Sequence, residues 1–320
     1  MAENAAGKLN FITGSVQKPL HSGEKGSFAM PAPLQEVPSS VSMPGAADVV
    51  VIGAGIVGVF AAYYLARRGL SVVLLEKGRV GAEQSSRNWG WCRQQNRDAR
   101  ELPIATKSLD LWEAFSKESN ESTGFRRCGL FYLSNDEAEL AGWSRWGAFA
   151  RTAGVTTYML DSAAASARGA ATGKVWKGGV FSPTDGTADP SQAAPAVARA
   201  FMAAGGTLLQ HCAARGLELS GGKVSGVITE KGVIRTPVVV QAGGAWASSF
   251  CRQLGVRFPQ ASIRSSILSL GPGVDGLPDA LHTAEISVTR RGNGGYTLAI
   301  SGLGRLDPTL QQLRFAREFL

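Results

Sequence analysis

Residues 48–76, DVVVIGAGIVGVFAAYYLARRGLSVVLLE, constrain the fold more than any other stretch of the chain. Val49 to Ile52 is a short, β-branched apolar run, the composition of a strand buried on both faces of a parallel sheet. Gly53, Gly55 and Gly58 follow as G-x-G-x-x-G. The segment from Ile56 to Arg68 predicts a helix ending at Gly69. Ser71 to Leu75 predicts a second buried strand, with Glu76 at its end. The first glycine permits a tight strand-to-helix turn, the second the approach of a pyrophosphate, and the third close packing of helix on strand. The helix N-terminus then offers unpaired N–H groups and a partial positive charge. Glu76 falls 23 residues after Gly53 (76 − 53), where a carboxylate accepts hydrogen bonds from an adenosine ribose. Glycine-rich turns also serve βαβ units that bind nothing. Strand, glycines, helix, second strand and acid in this order point to a dinucleotide, without choosing between NAD(P) and FAD.

The rest of the chain is consistent with an enzyme around such a site. Its 320 residues suffice for two domains, or for one large α/β domain with an insertion. The formal charge of +8 is spread without a run of four basic residues, so it favours anionic small ligands over nucleic acid. Cys92, Cys128, Cys212 and Cys251 form no CxxC pair, which predicts reduced thiols and a cytoplasmic protein. His21, His211 and His282 have no metal-ligand spacing, and no metal site is expected. No apolar run approaches the ~20 residues of a membrane span. Residues 1–45 mix Pro, Gly, Ser and Lys without periodicity and predict a disordered tail.

Downstream of Glu76 runs a polar, glycine-containing loop in which Ser85 and Ser86 either face the phosphate side of a cofactor or cap a helix. Helices are expected over 100–119, 135–153 with Asn135 as cap, 161–167 capped by Asp161, and 189–204 opened by Asp189-Pro190. Strands are expected over 126–134, 174–181 and 207–210, with a further short strand ending at Met159-Leu160. A meander over 216–219, 224–230 and 233–236 turns first at Gly221-Gly222. Val238 to Ala242 reads as a buried strand running into Gly243-Gly244-Ala245-Trp246 and a helix to Leu254, a second anion-friendly strand-to-helix passage. Antiparallel strands are expected over 263–270, 284–290 and 295–301, then a helix over 308–320 with Leu310, Leu313, Ala316 and Leu320 on one stripe.

Three passages together resemble the flavin-dependent amine and amino-acid oxidoreductases, the group of D-amino-acid oxidase and dehydrogenase, glycine oxidase and sarcosine oxidase. They are VVVIGAGIVGVFAAYYLARRGLSVVLLEKG, DGTADPSQAAPAVARAFMAAGGTLL with the meander after it, and VVVQAGGAWASSFCRQLGV. The resemblance covers residues 46–319. It implies an α/β chain with an FAD-binding Rossmann-like βαβ domain (46–125 and 184–255) and a second, mostly antiparallel β + α substrate domain (126–183 and 256–320). It implies FAD as cofactor, with Gly53, Gly55 and Gly58 at the pyrophosphate and Glu76 and Lys77 at the ribose. Ser85 and Ser86 would flank the phosphates and ribityl chain, Ala213 or Ala214 would meet the adenine, and Gly243, Gly244 and Trp246 would close over the cofactor. The loop 87–89 would reach towards the flavin ring, and with no histidine in it a covalent link there is not expected. Relatives continue past the equivalent of Leu320, so the resemblance also implies a truncated chain of low activity.

The expected reaction is oxidation of the C–N bond of a D-amino acid, opine or sarcosine-like amine, with the electron acceptor open. A carboxylate substrate wants an arginine clamp. Arg93 is the candidate, and Tyr296 a candidate donor in the pocket; a surface charge and a core aromatic are the competing readings. Two further functions fit the same residues, an NAD(P)-dependent oxidoreductase and a non-catalytic fragment or subunit of a larger oxidase.

Overall fold

The computed structural model describes residues 34–272, 276–302 and 304–319. In chain order the first strands are β1 (Val49–Ile52), β2 (Val72–Leu75), β3 (Trp91–Cys92), β4 (Leu130–Ser134), β5 (Tyr158–Leu160), β6 (Gly178–Ser182), β7 (Gly186–Thr187) and β8 (Thr207–Leu209). They are followed by β9 (Ala214–Ser220), β10 (Lys223–Thr229), β11 (Gly232–Arg235), β12 (Val238–Gln241), β13 (Ile267–Leu270), β14 (Ala280–His282), β15 (Ile286–Arg290) and β16 (Tyr296–Ile300). The helices are α1 (Ile56–Ala66), α2 (Leu102–Glu118), α3 (Glu137–Thr152), α4 (Ser162–Arg168), α5 (Ala193–Ala203), α6 (Ala247–Gln253), α7 (Leu310–Arg314) and α8 (Ala316–Phe319). Among the described residues no helix is long and apolar enough to cross a membrane.

Four strands form a parallel sheet in the order β12-β1-β2-β8. Alternation along β1 and β2 sends Val49, Val51, Val72 and Leu74 to one face, where α1 and α5 cover them through Ala62, Tyr63, Val197 and Phe201. Val50, Ile52, Val73 and Leu75 point the other way, against Val227 and Ile234 of the β9–β10–β11 meander. Both faces are thus buried, which is why the strands are apolar at every position. Gly221 and Gly222, with φ of 58° and 76°, make the two-residue turn between β9 and β10. β12 lies at the sheet edge with Val238 exposed, so it is not the fully buried strand its composition suggests.

A seven-stranded sheet, β13-β16-β15-β14-β4-β6-β5, carries the rest. Every pairing in it is antiparallel except β14 with β4. Leu130 and Tyr132 face Trp143 of α3; Phe131 and Leu133 face Ala165 of α4 and Trp176. The expected α/β class, a parallel nucleotide-type sheet with a second, mostly antiparallel one, is what the structure contains.

Several local expectations need correction. Residues 34–45 are not a loose tail: Ser39 and Ser40 lie along β8, and Gly45 O accepts from Arg235 N of β11. Ser40 N donates to Leu208 O, Leu208 N donates to Ser40 Oγ, Gln210 N donates to Ser39 Oγ, and Val37 packs on the core. Serine hydroxyls and isolated apolar residues satisfy that edge without any periodicity to betray it. Residues 1–33 of the expected tail lie outside the described residues. The cap of α3 is Asp136, whose Oδ1 accepts from Ala138 N and Glu139 N, while Asn135 bonds Val175 O and Lys177 N instead. Asp189 does not cap α5 either. It sits four residues before the helix and accepts from Ser191 and Gln192, and from Gly292 N in the turn between β15 and β16. β14 was not foreseen, and the strand expected from residue 263 starts at Ile267. The expected final helix is broken at Phe315 into α7 and α8. Phe315 is buried, whereas Leu310 and Leu313 are 86% and 67% exposed. Leu320 lies outside the described residues.

Phe201 has no exposed surface and fills the space between α5 and α1 beside the Gly206 backbone. Phe201→Ala is expected to lower stability by about 3–5 kcal/mol, through lost burial plus the cavity left behind. Urea unfolding of the two proteins checks this.

Candidate active site

The site starts where β1 ends. Gly53 has φ of 101°, a conformation that glycine adopts without cost. A Cβ there would stand 2.6 Å from Ala242 O at the end of β12. A Cβ on Gly58 would stand 1.8 Å from Gly53 O, so α1 rests directly on the turn it leaves. Gly55 differs: its added Cβ would meet only Ser85 Oγ, at 3.1 Å. Two of the glycines therefore seat the helix, and the third opens a cavity of about 640 Å³ above its N-terminus.

Gly53, Gly55, Glu76, Lys77, Ser85, Ala214, Gly243, Gly244 and Trp246 line this cavity together. Gly53 and Trp246, 193 positions apart (246 − 53), meet there because β12 returns beside β1. Gly58 lies behind the wall as a packing residue. Ser86 does not line the cavity, and its hydroxyl donates to Glu83 O at 3.3 Å. Glu76 is buried at the end of β2, where Oε2 accepts from Ala54 N at 2.9 Å and Oε1 from Gly78 N at 2.8 Å. Two backbone donors thus fix the carboxylate at the cavity wall. Ser85 Oγ accepts from Ile56 N, in the first turn of α1, at 2.8 Å. Lys77 and Trp246 come together across the mouth: the ammonium sits 3.9 Å from the indole centroid and 2.7 Å from Glu83 Oε1.

The glycine cradle, the N-terminus of α1 and the anchored carboxylate fit a dinucleotide cofactor. Other lining residues were not singled out from the sequence. Gln241 Oε1 accepts from Gly243 N at 2.7 Å and shapes the Gly243-Gly244 turn. Asn88 folds the loop by accepting from Gly90 N and donating to Gln84 O and Ser85 O. The Asn88-x-Gly90 pattern of an Asx turn was the available signal for it. Gln241 offered none.

A second cavity of about 580 Å³ adjoins the first through Ile56, Ser85 and Asn88, and Trp91, Cys92 and Arg93 line it. Arg93 Nη1 donates to Gln95 O at 2.5 Å and lies 3.4 Å from Tyr132 Oη. It forms no ion pair among the described residues. The loop is pinned from below by Asp185, which accepts from Gln94 N at 2.7 Å and Gln95 N at 3.1 Å, and whose pKa burial raises. Burial pushes the Cys92 thiol and the Tyr132 phenol each up to about 12, so both are protonated at neutral pH. Tyr296, on β16, is buried and lines neither cavity; the structure does not bring it to Arg93. Among the described residues no cluster of His, Cys, Asp and Glu is arranged to hold a metal.

Beside Arg93 the loop and the larger sheet form an aromatic cluster. The Trp89 and Trp91 rings lie 4.9 Å apart, and His282 packs against Trp89, Trp91 and Tyr132. Trp91 Nε1 donates to Thr289 Oγ1 at 2.6 Å and fixes the loop on the sheet.

Comparison with known proteins agrees with this geometry. Residues 48–310 match the family described as DAO, FAD dependent oxidoreductase. Human mitochondrial sarcosine dehydrogenase is 27% identical over 316 residues, which cover 92% of this chain and 33% of that protein. Sarcosine oxidase subunit beta of Rhizobium meliloti is 27% identical over 245 residues, 72% of this chain and 58% of the subunit. The structure of L-amino acid deaminase from Proteus myxofaciens in complex with anthranilate superposes with a TM-score of 0.82 at 30% identity, covering 89% of this chain and 65% of that one. The chain thus spans between a third and two thirds of the length of these three proteins. With its glycine cradle inside the matched residues, the chain belongs to the DAO family of FAD-dependent oxidoreductases, which decides for the flavin over a nicotinamide dinucleotide.

Proposed function

We propose that this chain holds FAD in the larger cavity and oxidises the C–N bond of a small amino acid or secondary amine whose carboxylate lies on Arg93. The observation that carries the reading is a half-buried arginine without an ion pair among the described residues, in a cavity that shares Ile56, Ser85 and Asn88 with the cofactor cradle. An arginine so placed binds a carboxylate more strongly than one in open water. That the relatives named above include a sarcosine dehydrogenase and an amino acid deaminase supports the substrate class.

The chain's own residues would divide the work. Gly55 and the first turn of α1 would hold the pyrophosphate, Glu76 the adenosine ribose, and Gly243 and Gly244 the opposite side. Lys77 and Trp246 would lie over the ribose at the mouth. Arg93 would orient the substrate by its carboxylate, and Trp89 and Trp91 would keep water from the reacting carbon. The bound flavin supplies the hydride acceptor for the substrate's C–H.

A second reading, a subunit of a larger oxidase, is favoured by one surface. Gln311 and Gln312 donate to Gln260 O and Ser262 O, and so join residues 304–319 to residues 256–264. The joined surface exposes Val256, Phe258, Ile263, Leu306, Leu310 and Leu313. A run of apolar side chains of this kind marks an interaction surface.

Titration with FAD, followed by flavin absorbance, tests the first reading. Glu76→Gln is expected to weaken FAD binding about 10-fold to 100-fold, the loss of hydrogen bonds to a charged acceptor, with thermal unfolding of the apoprotein recorded as control. A chain that shows no saturable FAD binding would overturn the reading. Arg93→Gln is expected to leave FAD affinity unchanged and to raise KM for carboxylate-bearing amines about 10-fold or more. Steady-state kinetics on carboxylated and decarboxylated amine pairs measures this, and equal losses on both would remove Arg93 from the carboxylate.

A further inference from the structure

We propose that Arg97 gives the Arg93 cavity a second carboxylate site, so that the substrate of the function proposed above, on which this rests, is a dicarboxylic amine. Arg93 and Arg97 line the same cavity of about 580 Å³, and both are half-buried. The chain between them is a tight turn. Arg97 N donates to Gln94 O at 3.0 Å, and Asn96 takes φ of 59°, a left-handed conformation that asparagine tolerates. The turn is held from two sides. Asp185 accepts from Gln94 N and Gln95 N, and Trp146 Nε1, from α3, donates to Arg97 O at 2.9 Å. The two arginines thus stand at either end of one fixed turn. Their charges also converge on one phenol: burial raises the Tyr132 pKa most, and Arg93 and Arg97 each pull it down.

The two guanidiniums differ in what they already hold. Arg93 has a backbone carbonyl and a phenol. Arg97 Nη1 lies 3.5 Å from Glu101 Oε2, the one contact its guanidinium makes among the described residues. The Glu101 side chain is 60% exposed, and an ion pair this long and this open to water is weak. A guanidinium has five N–H donors in a fork that matches a carboxylate, so most of those on Arg97 remain for a ligand. Arg93, Arg97 and Glu101 are the charged residues lining the cavity, which gives it a net charge of +1 (2 − 1). An amino acid with one carboxylate is neutral overall. One with two carries a single negative charge and complements the cavity. Ile104, Ala105, Leu109 and Trp112 of α2 add an apolar wall suited to the methylenes between two carboxylates. The second carboxylate stands either on the side chain, as in an acidic amino acid, or on the nitrogen substituent, as in an opine. Both present the same group to Arg97.

The test has two arms, both on the full chain. In the first, glutarate and butyrate are titrated calorimetrically against the FAD-loaded chain in about 0.15 M salt, where long-range attraction is screened. Glutarate is expected to bind about 10-fold more tightly, the gain from one further charge-assisted contact. Arg97→Gln should abolish that preference, and Arg97→Lys, which keeps the charge without the fork, should retain part of it. Equal binding of the two acids by the unaltered chain, or a preference that survives Arg97→Gln, overturns the proposal and leaves the function reading in place. In the second arm, anaerobic bleaching of the flavin is followed with monocarboxylic amino acids, acidic amino acids of both hands and opines. At low concentration the dicarboxylic amines are expected to bleach it about 10-fold faster, and the order of acidic amino acids and opines shows where the second carboxylate stands. Arg97→Gln should remove that advantage by raising the concentration needed for half-maximal rate. Fastest bleaching by a monocarboxylic amine overturns the substrate class alone. A chain that binds FAD and is bleached by no amine overturns the function reading and the substrate class together.

Discussion

The contact between Gly58 and the Gly53 carbonyl sets the position of everything around the site. A Cβ at residue 58 would lie 1.8 Å from that oxygen, so α1 can start only one turn after β1, pressed against it. That placement aims the first-turn N–H groups of α1 at the space beyond the strand ends. The same turn presses Gly53 against Ala242 O, which ties β12 to β1 at its C-terminal end. The cavity is therefore bounded by backbone on two sides before any side chain is considered. Helix dipole and unpaired donors then make it attractive to a pyrophosphate.

The two sheets are held in register by buried carboxylates and not by apolar packing alone. Asp185 carries two backbone donors of the Gln94–Gln95 loop, and Asp189 takes Gly292 N from the far sheet. Arg291, only 5% exposed, stands 4.0 Å from Asp189 and donates to Ser269 Oγ at 2.9 Å. A charge this deep is stable only near its partner. These contacts fix where the loop bearing Trp89, Trp91 and Arg93 lies relative to β14 and β15. The position of Arg93 is thus determined by residues that line neither cavity.

The contrast between what the sequence disclosed and what it hid follows from range. The βαβ unit was legible because each of its signals is local: a β-branched run, glycines at fixed offsets, an acid at the next strand end. Gly221-Gly222 was legible for the same reason. The assembly of Ala214, Gly243, Gly244 and Trp246 around Glu76 became visible through resemblance, since no local rule joins residues so far apart. The strip formed by Ser39 and Ser40 on β8 was invisible, because a segment that bonds an edge through hydroxyls needs neither periodicity nor propensity. β14 is three residues long and is held by two neighbours that flank it in space, β4 and β15, the first about 150 positions away. Asn135 and Asp136 are equally good caps by type, and only the competing bonds of Asn135 to Val175 and Lys177 decide between them.

The net charge of +8 gains its meaning from how the arginines are spent. Arg67, Arg100, Arg127 and Arg199 each hold an acidic neighbour at or near the surface. Such pairs contribute little to stability and leave little field beyond themselves. Arg93 is different. It sits in a half-buried cavity with only neutral acceptors, a backbone carbonyl and a phenol. Its charge reaches the buried Asp185 carboxylate beneath the loop, whose pKa it lowers against the larger effect of burial. Burial, together with the same charge, depresses the His282 pKa. A charge held on neutral acceptors and partly out of water is what separates Arg93 from the paired arginines of the surface.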